Sequence, residues 1–196
     1  MYVFLIIGIV VVILIFATVL NIPFFSSTKH SDMPLVIEAL DLQNDQVVFD
    51  LGAGQGNLIF AAAAAAHHKK LNTVFYALEI NSVALILMTL RAFFHPHSPY
   101  IRIRHANIFK YHYAKRIDQY KKVTFYLYIA PWLIPKAAEE MKKLTRPATV
   151  ISYKYQIDSM ELSRKVDGAN GIFIYELHPH VSSSESTTHA SDTHYL

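Results

Sequence analysis

Three glycines at alternate positions, Gly52, Gly54 and Gly56, follow Asp50 and open onto an alanine-rich run over 58–66. The apolar residues Val47, Val48 and Phe49 come just before the aspartate, so the stretch reads as strand, tight loop and helix. Glycine suits such a loop because the backbone can take positive φ and a ligand can approach the main chain with no Cβ in the way. The loop also ends at a helix N-terminus, where orphan N–H groups and the macrodipole favour oxygen-bearing ligands. The chemistry this predicts is the holding of a nucleotide-like ligand. No general base stands out, so the catalytic residue, if one exists, stays unassigned. The chain has no cysteine, which removes a thiolate nucleophile and thiolate metal ligands.

The glycine spacing narrows the ligand. Dinucleotide-binding turns carry G-x-G-x-x-G with a pyrophosphate on the helix start, whereas here the spacing is G-x-G-x-G. A carboxylate at position 50 would repel a diphosphate but can bond a cationic amino group. A ligand with an ammonium, a sulfonium, a ribose and an adenine but no phosphate fits better, which points to S-adenosylmethionine. Glu79 ends the next strand pattern, over 73–78, and is placed to clamp the ribose hydroxyls.

The elements that must position these groups alternate. Helices are expected at 33–40, 58–66, 83–94 and 133–144, and strands at 100–105, 123–129, 149–155 and 172–177, with a turn over 166–171 before the last strand. This predicts an α/β fold, a Rossmann-like, doubly wound, mostly parallel sheet with an antiparallel hairpin at one edge. In such sheets ligands bind beyond the carboxyl ends of the strands. Asn107 and Ile108, after the third strand, are therefore expected against the adenine, by analogy of fold. Tyr128, Pro131 and Trp132, after the fourth strand, are expected on the acceptor side, though packing explains Trp132 equally well.

Residues 2–20 carry no charge, and a run of roughly 20 apolar residues is long enough to span a bilayer. The expected organisation is a transmembrane helix at 1–22, a linker at 23–32, a catalytic domain at 33–178 and a disordered tail at 179–196. Lys29 and His30 lie just past the apolar run, which favours a single-pass protein with its domain in the cytoplasm.

With Asp50-Leu51-Gly52-Ala53-Gly54-Gln55-Gly56, Glu79, Asn107-Ile108-Phe109 and Ala130-Pro131-Trp132, the chain resembles class I S-adenosylmethionine-dependent methyltransferases. Within them it looks most like the small membrane-anchored group related to mitochondrial protein-lysine methyltransferases. That resemblance implies S-adenosylmethionine as cofactor and a protein lysine as acceptor, a lipid-like acceptor being the alternative. A methyltransferase fold kept as a non-catalytic, membrane-tethered module is the competing class. The chain departs from the group at Gln55, where an acid is usual, at Asn57, where an arginine is usual, and at Asn107, where many relatives carry aspartate.

Eleven histidines raise the question of metal. The pairs His95-x-His97 and His178-x-His180 flank proline turns without a third ligand, so no metal is expected. The net charge of +3 is spread over loops and helix ends without aromatic interleaving, and no nucleic-acid partner is expected. The partners expected are a membrane, through the N-terminal helix, and the methyl acceptor.

Overall fold

A computed structural model describes residues 2–19 and 27–179. After α1 (Tyr2–Val19) come α2 (Met33–Ala39), β1 (Gln46–Leu51), α3 (Asn57–His68), β2 (Val74–Glu79), α4 (Ser82–Phe93) and β3 (Ile101–His105). The chain continues through α5 (Ala114–Ile117), β4 (Lys122–Leu127), α6 (Ile134–Lys142), β5 (Ala148–Tyr153), β6 (Arg164–Asp167) and β7 (Gly171–Leu177). The seven strands form one sheet in the order β3-β2-β1-β4-β5-β7-β6.

The five strands β1 to β5 pair in parallel, and β7 runs antiparallel between β5 and β6. Every residue of β1 is buried, as a strand covered on both faces must be. Val48, Ile59, Phe60 and Met88 pack on one face with α2, α3 and α4. Phe49, Phe125, Ile134 and Met141 pack on the other with α5 and α6. The chain order reverses between β1 and β4, so the crevice at their carboxyl ends is the topological switch point where open α/β sheets bind ligands.

The structure departs from the sequence reading in three places. Residues 164–167, expected to lead only into a turn, form β6. Three of its four side chains are exposed, so it lacks the alternation that marks a half-buried strand. The expected linker is only partly one: residues 20–26 lie outside the described residues, but Thr28 and Asp32 are buried. Their polarity suggested solvation, yet each is satisfied by partners far along the chain.

The third departure is the membrane span expected at 1–22. Among the described residues no helix is long and apolar enough to cross a membrane. Most of the expected tail, residues 180–196, lies outside the described residues.

Candidate functional site

Asp50 is the penultimate residue of β1, lies beside Tyr126 of β4 and is 3% exposed. Burial disfavours its charged form and the neighbouring Glu79 carboxylate adds repulsion, so its pKa is pushed up from 3.8 to about 8. The result is a carboxyl group that keeps its proton at neutral pH. It faces a small cavity whose lining includes Gly52, Gly54, Thr28, Asn57, Tyr126 and Tyr128 and no lysine or arginine.

The turn above Asp50 is built as its glycines suggest. Gly52, Gly54 and Gly56 have φ of 86°, 56° and 76°, a region that costs L side chains strain. Gly52 and Gly54 line the cavity, whereas Gly56 does not. Gly56 caps α3 and presses against α4: a Cβ there would lie 2.9 Å from Met88 Sδ and 2.9 Å from the Phe60 ring. Gly56→Ala is therefore expected to destabilise the fold by roughly 2–4 kcal/mol in denaturant titration, from backbone strain plus overpacking. Ligand affinity of the folded fraction should stay nearly unchanged.

Glu79 grips the turn from the opposite side. Its Oε2 accepts from Gly54 N–H at 2.7 Å, and its Oε1 accepts from Ile80 N–H at 2.8 Å and Asn81 N–H at 2.7 Å. A carboxylate offers about four acceptor positions, so three are occupied. The expected clamp on both ribose hydroxyls is thus reduced to one direct bond unless Gly54 N–H is displaced. Asn81 in turn caps α4, its Oδ1 accepting from Val83 and Ala84 N–H.

A segment that the sequence did not mark as part of the site roofs the cavity. The hydroxyls of Thr28 and Tyr126 meet at 2.6 Å, and Asn57 Nδ2 donates to Ser27 Oγ at 2.8 Å. Behind them Asp32 accepts from the Tyr153 hydroxyl at 2.7 Å and from the N–H groups of Ala169 at 2.7 Å and Asn170 at 2.9 Å. Tyr126 could have been suspected, because it falls on β4 in register with Asp50 and shares its face.

These bonds hold the Asp32 carboxyl down at about 2, with the Tyr153 hydroxyl the largest cause. A depressed pKa stabilises above the ordinary 3.8, and that stability drains as pH falls toward 2. Asp32→Ala should strand the three donors, lower the melting temperature by roughly 5 °C and flatten the acid limb of the stability profile below pH 4.

The other expected residues are less unified. Asn107 Oδ1 accepts from Phe109 N–H at 2.9 Å, closing its own turn. Ile108 is half-buried, and its carbonyl accepts from the Tyr113 hydroxyl. Both follow β3, two strands from Asp50, and neither lines the cavity beside it. Tyr128 does line that cavity, its ring edge-on to Tyr153. Pro131 lines a different depression with Tyr155 and Asp158, and Trp132 is 78% exposed. Among the described residues no group of three His, Asp or Glu side chains is arranged to hold a metal ion.

No family model and no curated protein matches the chain by sequence. Solved structures do match. An RNA methyltransferase from Salinibacter ruber in complex with S-adenosyl-L-homocysteine aligns with a TM-score of 0.66 at 18% identity, covering 82% of this chain and 98% of that one. A putative rRNA methylase from Clostridium thermocellum aligns with 0.54 at 15%, covering 79% and 99%. A precorrin-6y C5,15-methyltransferase from Geobacter metallireducens GS-15 aligns with 0.53 at 14%, covering 80% and 94%. Several further matches are rRNA methylases, and this corrects the expectation that nucleic acid plays no part among the partners. The lysine-methylating, membrane-anchored group is not what these matches support. At such identities a likeness establishes architecture, and the chain has the fold of class I S-adenosylmethionine-dependent methyltransferases.

Proposed function

We propose that this chain is a methyltransferase that binds S-adenosylmethionine at the turn between Asp50 and Gly56. The observation that carries the reading is the juxtaposition of a buried, electrically unsatisfied carboxyl with an open glycine turn that a second carboxylate holds from behind. When bound, the donor supplies an electrophilic methyl group on a sulfonium, which needs no acid to depart. The protein's task is then to align donor and acceptor and to keep water out. Asp50 gives up its proton to pair with the donor's ammonium in a site where water screens little. Glu79 fixes the turn and has one acceptor position left for a ribose hydroxyl. The adenine contact assigned to Asn107 and Ile108 belongs to the same proposal, Asn107 offering its amide nitrogen because its oxygen is already bonded.

The residue types fit the donor, but the enclosed volume does not yet. The cavity measures about 80 Å³, against roughly 300–1,000 Å³ for small-molecule sites. Binding therefore requires the Ser27–Thr28 roof to lift. Calorimetric titration of the full chain with S-adenosylmethionine tests the proposal. Saturable binding that weakens in Asp50→Asn and Glu79→Gln is expected. No binding, or binding indifferent to both substitutions, leaves a non-catalytic module with this fold.

For the acceptor we propose a lysine side chain of a protein. What supports it is the resemblance carried by the turn from Asp50 to Gly56, Glu79 and Ala130-Pro131-Trp132. RNA is the second reading, favoured by the named neighbours. Transfer of a labelled methyl group into cell extract, followed by separate protease and ribonuclease digestion, decides between them: label released only by ribonuclease overturns the lysine reading.

Location is a separate proposal. The uncharged run over 2–20 supports a membrane-associated protein with its domain on the cytoplasmic side. A reporter fused after Leu196 that is active only outside the cell would overturn it.

A further inference from the structure

We propose that the face of β3 turned away from α4 is a docking surface for single-stranded RNA. The inference concerns a partner, and it rests on neither the donor site nor the identity of the methyl acceptor. Side chains alternate along β3: Ile101 and Ile103 pack into the core on the α4 side, so Arg102 and Arg104 stand on the other. A parallel sheet is ordinarily covered on both faces, yet between β3 and β4 the chain supplies just the four residues of α5. Both arginines are left exposed. Arg102 lies beside Tyr76 in the register of β2 and β3, and the Arg104 guanidinium sits 6.0 Å from the centre of the Tyr76 ring. Tyr111 and Tyr120, both half-buried, pack on the same core cluster as Tyr76. Burial raises the Tyr111 pKa and Tyr76 adds to it, while Arg116 and Arg104 oppose both. Burial and Tyr76 act alike on Tyr120, where Arg102 and Arg116 are among the opposing groups. Three guanidinium groups thus stand within electrostatic reach of three tyrosines. The fold assembles here, from β2, β3 and the segment around α5, the interleaving of cations and rings that marks a single-strand platform.

Charge and shape select the occupant. No aspartate or glutamate lies between Glu79 and Asp118, and among the described residues none of Arg102, Arg104 and Arg116 is ion-paired. Arg102 and Arg104 each commit one nitrogen to backbone carbonyls and keep the rest of the fork free for phosphate. Two residues apart on one face, they are separated by roughly 6.6 Å along the strand, a spacing that a phosphodiester chain can follow. A bilayer would need apolar side chains to insert, and between Ile101 and Ala130 no large hydrophobic residue is exposed. An acidic peptide would pair with the arginines and leave the rings unused. A duplex keeps its bases stacked on one another, whereas an unpaired strand can lay them on guanidinium planes and tyrosine rings. Unpaired strands in a cell are chiefly RNA.

Fluorescence anisotropy of a labelled RNA of about twelve uridines, titrated with the full chain between about 50 and 200 mM salt, tests the proposal. Saturable binding that weakens with salt is expected. Arg102→Gln combined with Arg104→Gln should weaken it about tenfold and flatten the slope of log affinity against log salt by about 1.4, two phosphates at about 0.7 each. The melting curve should not move, because both side chains are exposed. Arg104→Lys keeps the charge and the slope but loses the planar stack, and should weaken binding about threefold. Arg164→Gln combined with Lys165→Gln removes the same formal charge from β6 at the far edge of the sheet and should leave RNA affinity unchanged. Three results overturn the proposal: no saturable binding at the lowest salt; an affinity that the β3 pair lowers no more than the β6 pair does; and equal or tighter binding of a duplex, of the deoxy strand, of an oligoglutamate peptide or of phosphatidylserine vesicles.

Discussion

Asp50→Asn should make the protein more stable and its donor binding weaker. Folding buries this carboxyl and raises its pKa from 3.8 to about 8, so between those values the folded chain holds a proton that the unfolded chain has released. Stability therefore falls as pH rises across that window, by about 1.4 kcal/mol for each unit. The amide has nothing to titrate and should gain about 2–4 kcal/mol at pH 7. Denaturant midpoints measured from pH 4 to pH 8 should decline for the parent and stay level for the variant.

On the proposed reading the same carboxyl is the partner of the donor's ammonium. Binding at pH 7 should then expel a proton, which appears as a dependence of the calorimetric heat on the buffer's ionisation enthalpy. Affinity should climb as pH rises toward 8. Losing one partner of a buried charge pair costs about 2–5 kcal/mol, so Asp50→Asn should bind about 30- to 5,000-fold more weakly and release no proton. A variant that binds as the parent does, with the same proton count, removes Asp50 from the site. The opposite signs matter, because a merely structural acid would not trade stability for binding in this way.

Glu79→Ala should damage both properties at once. It strands the N–H groups of Gly54, Ile80 and Asn81, and the first two turns of the site lose their common anchor. Roughly 3–5 kcal/mol of stability should go, together with more than about 100-fold in donor affinity. Glu79→Gln separates the two effects. Its remaining carbonyl can still accept from Ile80 and Asn81, but its amide nitrogen turns a donor toward Gly54 N–H. That variant should fold with most of the parent's stability and still bind poorly. Equal losses in both measurements for the glutamine variant would mean that Glu79 serves the fold alone.

How much of this was legible beforehand depends on sequence distance. The glycine turn, Asp50 and Glu79 could be read because their partners lie within one β-α-β unit and their patterns are local. The roof could not. Thr28 meets a hydroxyl 98 residues away and Asp32 one 121 residues away, so nothing near either residue announces that it is buried. Gly56 was legible as a glycine but not as a packing position, since its neighbour Met88 comes from the next helix but one strand. Asn107 was placed by analogy alone, and its side chain proved to be closing a local turn. The exposure of Ile86, Leu90 and Phe93 on α4 could not be read at all, because strong apolar periodicity looks the same whether the second face meets protein or something else.

The bonds from Asp32 to Ala169 and Asn170 impose an order of events on a nascent chain. Residues 46–127 can assemble β1 to β4 and the glycine turn while the ribosome is still adding the rest. The segment that shuts over Asp50 finds Asn57 and Tyr126 at once, but the backbone donors to Asp32 come only when a hairpin some 137 residues later has been made. For that interval the Asp32 carboxylate lacks its backbone donors, and translation past Asn170 completes the latch.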